Sequence, residues 1–142
     1  MDPGSPPEII DPGRFTRTIE PLEVDAATPV RTIALQEDLE RPGGPLFMIN
    51  DEVWPFNTPM GAVLDDLEVW RVENNNDGAH PFHLHGFFFQ VLDRDGVSEP
   101  HLAWKDTVRI DAHSTIQLAV RLDAPGRWMF HCQIPEHAEG GM

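Results

Sequence analysis

The sequence predicts an all-β domain, a sandwich or barrel of short strands. Three observations lead there. Fourteen prolines and eleven glycines are spread along 142 residues, a punctuation that suits many short strands joined by turns. Several runs of four to eight residues alternate apolar and polar side chains and end on turn-forming clusters. No helical repeat longer than a turn or two is found, apart from a short candidate at Pro135–Glu139. With 40% apolar residues, the chain is long enough to bury a core.

In order, the strand candidates are Val30–Leu35, Leu46–Ile49, Leu67–Val72, Phe87–Leu92, Thr107–Ile110, Thr115–Leu122 and Arg127–Cys132. Between them lie Arg41-Pro42-Gly43-Gly44-Pro45, Asn74-Asn75-Asn76-Asp77-Gly78, Asp93-Arg94-Asp95-Gly96 and Asp123-Ala124-Pro125-Gly126. All four are strong turn signals. Residues 1–29, rich in Pro, Gly and acidic groups, read as an N-terminal extension or interdomain linker. Residues 30–142 read as the folded domain.

Ten basic and twenty-four acidic residues give a net charge of −14, which argues against a nucleic-acid partner. No stretch approaches the roughly 18 apolar residues of a membrane span. The N-terminal MDPGSPPEII has neither a basic nor an apolar signal-peptide region. Cys132 is the single cysteine, so an intrachain disulfide is impossible.

Two histidine clusters carry the chemistry. In His80-Pro81-Phe82-His83-Leu84-His85-Gly86, residues two apart in an extended chain face the same way, so His83 and His85 should project together. In the second cluster Cys132, His137 and Met142 are spaced C-x4-H-x4-M. Thiolate, imidazole and thioether on one loop suit a His₂Cys copper site with a weak axial Met. His80 is the best candidate for the second imidazole, because it begins the other cluster. Zinc is the rival metal, but it seldom takes a Met ligand; a buried Cys beside surface histidines is the structural alternative. Along the strand, His131 and Gln133 should point away from Cys132.

These residues resemble the C-terminal cupredoxin domain of the multicopper oxidases, the laccase-like family. The resemblance rests on HPFHLHG at 80–86, WKDTV at 104–108, and GRWMFHC, IPEH and GM across 126–142, with support from FMINDEVWPF at 47–56 and VEN at 72–74. It implies a cupredoxin-like Greek-key β-sandwich. Family members carry a last strand beyond the axial ligand that this chain lacks after Met142, and the chain is therefore expected to be a piece of something longer. The resemblance implies that His80, Cys132, His137 and Met142 hold type 1 copper, and that His83, His85 and His131 belong to type 2 and type 3 copper positions.

Gln133 replaces the second His of the family's HCH motif, and Ala138 stands where several bacterial members carry Glu. The implied partners are other cupredoxin domains, O₂ and a small reducing substrate; the implied location is periplasmic or secreted. Two functions follow: a domain passing single electrons toward a trinuclear cluster completed elsewhere, or a stand-alone copper electron carrier. Asp106 is a candidate for orienting a histidine through its carboxylate. Phe87–Phe89, Trp128 and Phe130 are expected in the core, and His101 and His113 on the surface. With Gly140-Gly141 before it, Met142 is expected to be mobile unless something downstream anchors it.

Overall fold

The computed structural model describes residues 18–142. For residues 1–17 the linker reading therefore lies outside the described residues. From Val30 onward the chain forms β1 (Val30–Asp38), β2 (Leu46–Ile49), β3 (Leu67–Asn74), β4 (His80–Leu84), β5 (Phe89–Arg94), β6 (Val97–Ser98), β7 (Trp104–Lys105), β8 (Thr107–Ile110), β9 (Ser114–Arg121) and β10 (Phe130–Cys132). One short helix, α1, spans Pro135–Glu139. The fold is all-β.

A large sheet runs β2-β1-β3-β9-β5-β6, with β7 also on β5; a small sheet runs β10-β4-β8. Ile33, Leu35 and Val72 from the first face Phe82, Leu84 and Ile110 from the second in one apolar cluster, each 2% exposed or less. β4 and β8 bury alternate residues, which is how a period-2 sequence packs as a sandwich. β1 lies parallel to β3, pairing Val30 with Val69 and Leu35 with Asn74.

Two strand expectations are corrected. Phe87–Leu92 begins late, at Phe89, because Gly86 takes φ +78° and turns the chain. A methyl group at Gly86 would overlap the Trp128 ring. Arg127–Cys132 shortens to Phe130–Cys132. The expected aromatic core is split as well: Phe87 and Phe89 are buried, whereas Phe88 is 62% and Trp128 45% exposed. Two-residue strands β6 and β7 were too short to show a pattern.

Buried Gln90 fastens part of the lead-in. Its Oε1 accepts from Leu22 N–H at 2.7 Å, and its Nε2 donates to the Glu20 carbonyl at 2.8 Å. At the sheet's far end, Arg31 donates twice to Glu68, at 2.8 and 2.7 Å. Trp70 Nε1 adds a third donor at 2.8 Å. These donors, the Arg31 side chain first, hold the Glu68 carboxyl below its ordinary value against the opposing pull of burial.

A depressed carboxyl stabilises the fold while ionised, and that contribution fades as pH falls through the folded value. Glu68→Gln should cost about 3 kcal/mol at pH 7 and flatten the acid limb of the stability curve below pH 4.5, the carboxyl's ordinary value. Denaturant titrations of both proteins between pH 3 and 7 check this.

Candidate metal centre

The two faces of β4 sort the HPFHLH motif. His80, Phe82 and Leu84 are buried, while Pro81 and His83 are only half-buried. A spacing of three along an extended strand puts His80 and His83 on opposite sides. β10 runs antiparallel beside it, with Cys132 opposite Phe82 and His131 opposite His83. Cys132 therefore faces inward with His80, and His131 faces outward with His83. His85 lies just past the strand end, and its ring centroid is 4.5 Å from that of His83.

The inner group joins His80, Cys132 and His137. His80 Nδ1 is 3.6 Å from Cys132 Sγ and 3.3 Å from His137 Nδ1, and His137 Nδ1 is 3.8 Å from Sγ. Three donors in a plane around one ion, with bonds of about 2.0 Å to nitrogen and about 2.3 Å to sulfur, would be separated by distances in this range. The donor set is soft and borderline, as copper prefers. His80 and Cys132 are fully buried. Burial, then the neighbouring His137, pushes the His80 pKa down to about 4. Burial also raises the Cys132 thiol; the Ile134 N–H opposes it, and Glu37 adds to the rise.

The loop after Cys132 closes on itself. Met142 N–H donates to His137 O at 3.0 Å, and its carbonyl accepts from Cys132 N–H at 3.2 Å. Trp54 N–H donates to Gly141 O at 3.0 Å. Gly141, at φ +114°, lies so close to Val53 that a methyl group there would collide. Met142 is 3% exposed and joins the apolar cluster with Phe47 and Cys132. The expectation of mobility is thus corrected: two backbone hydrogen bonds and burial pin this residue.

The outer group joins His83, His85 and His131. His83 Nδ1 is 3.0 Å from the Asp106 carbonyl and 2.9 Å from Thr107 Oγ1. His131 Nδ1 is 2.7 Å from the Cys132 carbonyl. His131 Nε2 lies 3.0 Å from His85 Nε2. Burial first, and then His83 and His131, favour the neutral form of His85. Asp106 orients His83 through its backbone carbonyl, so the expected role for its carboxylate is corrected. Gln133 is exposed beyond the end of β10, and its N–H donates to Pro81 O at 2.9 Å. His101 and His113 are exposed, outside both groups.

The structure adds residues that the motifs did not name. Phe47 stacks on His137 at 4.1 Å between ring centroids, with planes 16° apart. Glu37 Oε1 is 3.2 Å from His80 Nε2 and 3.7 Å from His137 Nδ1. Asn76 Nδ2 is 3.3 Å from the same His80 nitrogen. Glu37 could have been found by extending the alternation of Ile33 and Leu35 by two residues, which places a carboxylate on the inward face.

The profile of the multicopper oxidases matches residues 23–142. The chain belongs to the multicopper oxidase family. Copper is the cofactor of that family, and the inner and outer His/Cys groups can hold metal. The multicopper oxidase chain is 37% identical over 114 residues to the iron transport multicopper oxidase FET3 of Kluyveromyces lactis, covering 66% of this chain and 18% of that protein. A laccase of Bacillus stratosphericus is 29% identical over 147 residues, covering 89% and 29%.

The crystal structure of a multicopper oxidase from Pediococcus acidilactici superposes with a TM-score of 0.76 at 30% identity, covering 89% of this chain and 27% of that one. McoA of Aquifex aeolicus gives 0.72 at 31% identity, covering 89% and 30%. The chain therefore spans less than a third of the length of these relatives. Its sandwich is cupredoxin-like, as the motifs implied. Among the described residues no helix is long and apolar enough to cross a membrane.

In the metal-free chain, buried His80 favours folding only while neutral. With its pKa moved from 6.5 to about 4, that contribution is complete above pH 6.5 and is lost as pH falls toward 4. The loss should reach up to roughly 3 kcal/mol. A His80→Gln variant should show a flatter stability profile across this window in denaturant titrations.

Proposed function

We propose that residues 30–142 are the type 1 copper domain of a laccase-like multicopper oxidase. In this reading the domain accepts single electrons from phenolic or metal-ion donors. It passes them toward an O₂-reducing trinuclear cluster completed by another domain. His80, Cys132, His137 and Met142 would hold the type 1 copper. His83, His85 and His131 would contribute to the trinuclear site. Copper supplies one-electron redox chemistry when bound.

One observation carries the proposal. Adjacent residues Cys132 and His131 face opposite sides of β10 and belong to the inner and outer groups respectively. A charge entering at the thiolate has one peptide unit to cross before it reaches the outer imidazoles. The remaining residues prepare the two ends. Burial keeps His80 neutral at pH 7, as a ligand must be, and Phe47 covers the His137 ring. Backbone carbonyls hold His83 and His131 through Nδ1, which turns Nε2 toward the shared space.

Gln133 favours a second reading for the chain by itself. It stands where the family's motif carries a His, and an amide is a poorer copper ligand than an imidazole. On that reading the domain is a one-copper electron carrier. Under either reading the proposed location is periplasmic or secreted, as the family resemblance implies.

Copper-loaded chain should be blue, with an intense thiolate-to-Cu(II) absorption that Cys132→Ser abolishes. A colourless wild-type product with one bound copper would sink the type 1 assignment. An oxygen electrode with a phenolic donor should register essentially no uptake from the chain alone. In a full-length parent, Gln133→His should raise O₂ turnover; an unchanged rate would mean that this position is not limiting.

A further inference from the structure

His80 has two ring nitrogens, and a neutral imidazole carries its proton on one of them. For Nδ1 to face Cys132 and His137 as a donor of electrons, Nε2 must bear the hydrogen, and that hydrogen needs an acceptor inside the protein. Among the described residues, two side chains reach Nε2: Asn76 and Glu37.

Asn76 is ruled out by counting its hydrogens. Its Oδ1 accepts from Glu37 N–H at 3.0 Å, which fixes the orientation of the amide. Its Nδ2 then donates to Leu35 O at 2.9 Å and Asn74 Oδ1 at 3.0 Å. Both hydrogens are used, and an amide nitrogen accepts nothing. Asn74 is itself fixed, donating at 2.8 Å to Gly78 O and at 2.9 Å to Asp111 O. What remains beside Nε2 is Glu37 Oε1, at 3.2 Å, on a side chain 9% exposed.

We propose that Glu37 is a positioning residue for the copper centre: its carboxylate receives the His80 Nε2–H, commits Nδ1 to the metal and lowers the centre's potential. The proposal rests on the type 1 reading for its copper part only. Glu37 is placed by the β1–β2 ladder, where it pairs with Phe47. The same ladder thus sets a carboxylate against His80 and an aromatic face against His137. Its oxygen lies 3.7 Å from His137 Nδ1 as well, so the negative charge acts on both imidazoles. A buried negative charge stabilises Cu(II) over the less positive Cu(I), because Coulomb energy scales with the ion's charge. Carboxylate partners of ligating histidines also raise ligand basicity.

The test uses the full chain as wild type, Glu37→Gln and Glu37→Leu. Glu37→Gln keeps shape and an acceptor oxygen but removes the charge; Glu37→Leu removes both. In the metal-free proteins, imidazole ¹⁵N shifts should report His80 as the Nε2–H tautomer in wild type and Glu37→Gln. In Glu37→Leu the tautomer should be lost or mixed.

After copper loading, Glu37→Gln should remain blue and favour Cu(I) over Cu(II) about tenfold more, a rise of about 59 mV. Glu37→Leu should weaken Cu(II) binding about 10- to 100-fold. An Nδ1–H tautomer in wild type, an unchanged tautomer in Glu37→Leu, or an unchanged potential in Glu37→Gln would overturn the proposal. Copper bound without blue colour would fail the type 1 reading, and the tautomer measurement would still decide the role of Glu37.

Discussion

The two-residue alternation of β10, locked by its antiparallel pairing with β4, is the constraint on which both metal-binding groups depend. Because Cys132 lies opposite Phe82 and His131 opposite His83, one strand places a thiol in the core and an imidazole outside it. A slip of one residue would exchange the two faces. The register is held from the inside by Phe82 and Leu84, which are fully buried or nearly so. It is held from the ends by Gln133 N–H on Pro81 O and Cys132 N–H on Met142 O. Packing and chemistry are therefore one problem here. The apolar residues that fix the sandwich also fix which histidine meets which neighbour.

Around that strand, the site is built from pieces far apart in sequence. β1 and β2 bring Glu37 and Phe47, β4 brings His80, and the loop through α1 brings His137 and Met142. The short helix works as a spacer. It starts at Pro135, where a missing N–H costs nothing, and it returns the chain so that Met142 bonds back to His137. The acidic net charge of −14 has its nearest expression at the site in Glu37, the carboxylate that touches both inner histidines.

Much of this was legible in the sequence. Strict alternation marked β3, β8 and β9, and the C-x4-H-x4-M spacing together with HPFHLH located both groups. The multicopper oxidase motifs then gave each histidine its face. What was illegible has physical reasons. Gly86 moves the start of β5 through a positive φ that a propensity pattern does not register. Phe88 and Trp128 are large and apolar, yet exposed, because residue type does not say which face of the domain meets water. Glu37 stayed hidden because β1 was expected to stop at Leu35, two residues short of it. The tripled Asn at 74–76 read as a turn, though its side chains also carry the hydrogen-bond chain that ends on the Glu37 N–H. Met142 was expected to move, since no local pattern announces the hydrogen bonds that close a loop.

The separation of His80 from Cys132 has a consequence for how the protein matures. These two side chains meet across 52 residues of chain, and they meet only after β4 and β10 have paired. Contacts between such distant parts form late and slowly, because the loop entropy must be overcome first. An ion that needs both donors adds its binding energy to the finished fold and not to the open chain. Metal uptake would then act as a seal on a completed domain, resisting unfolding.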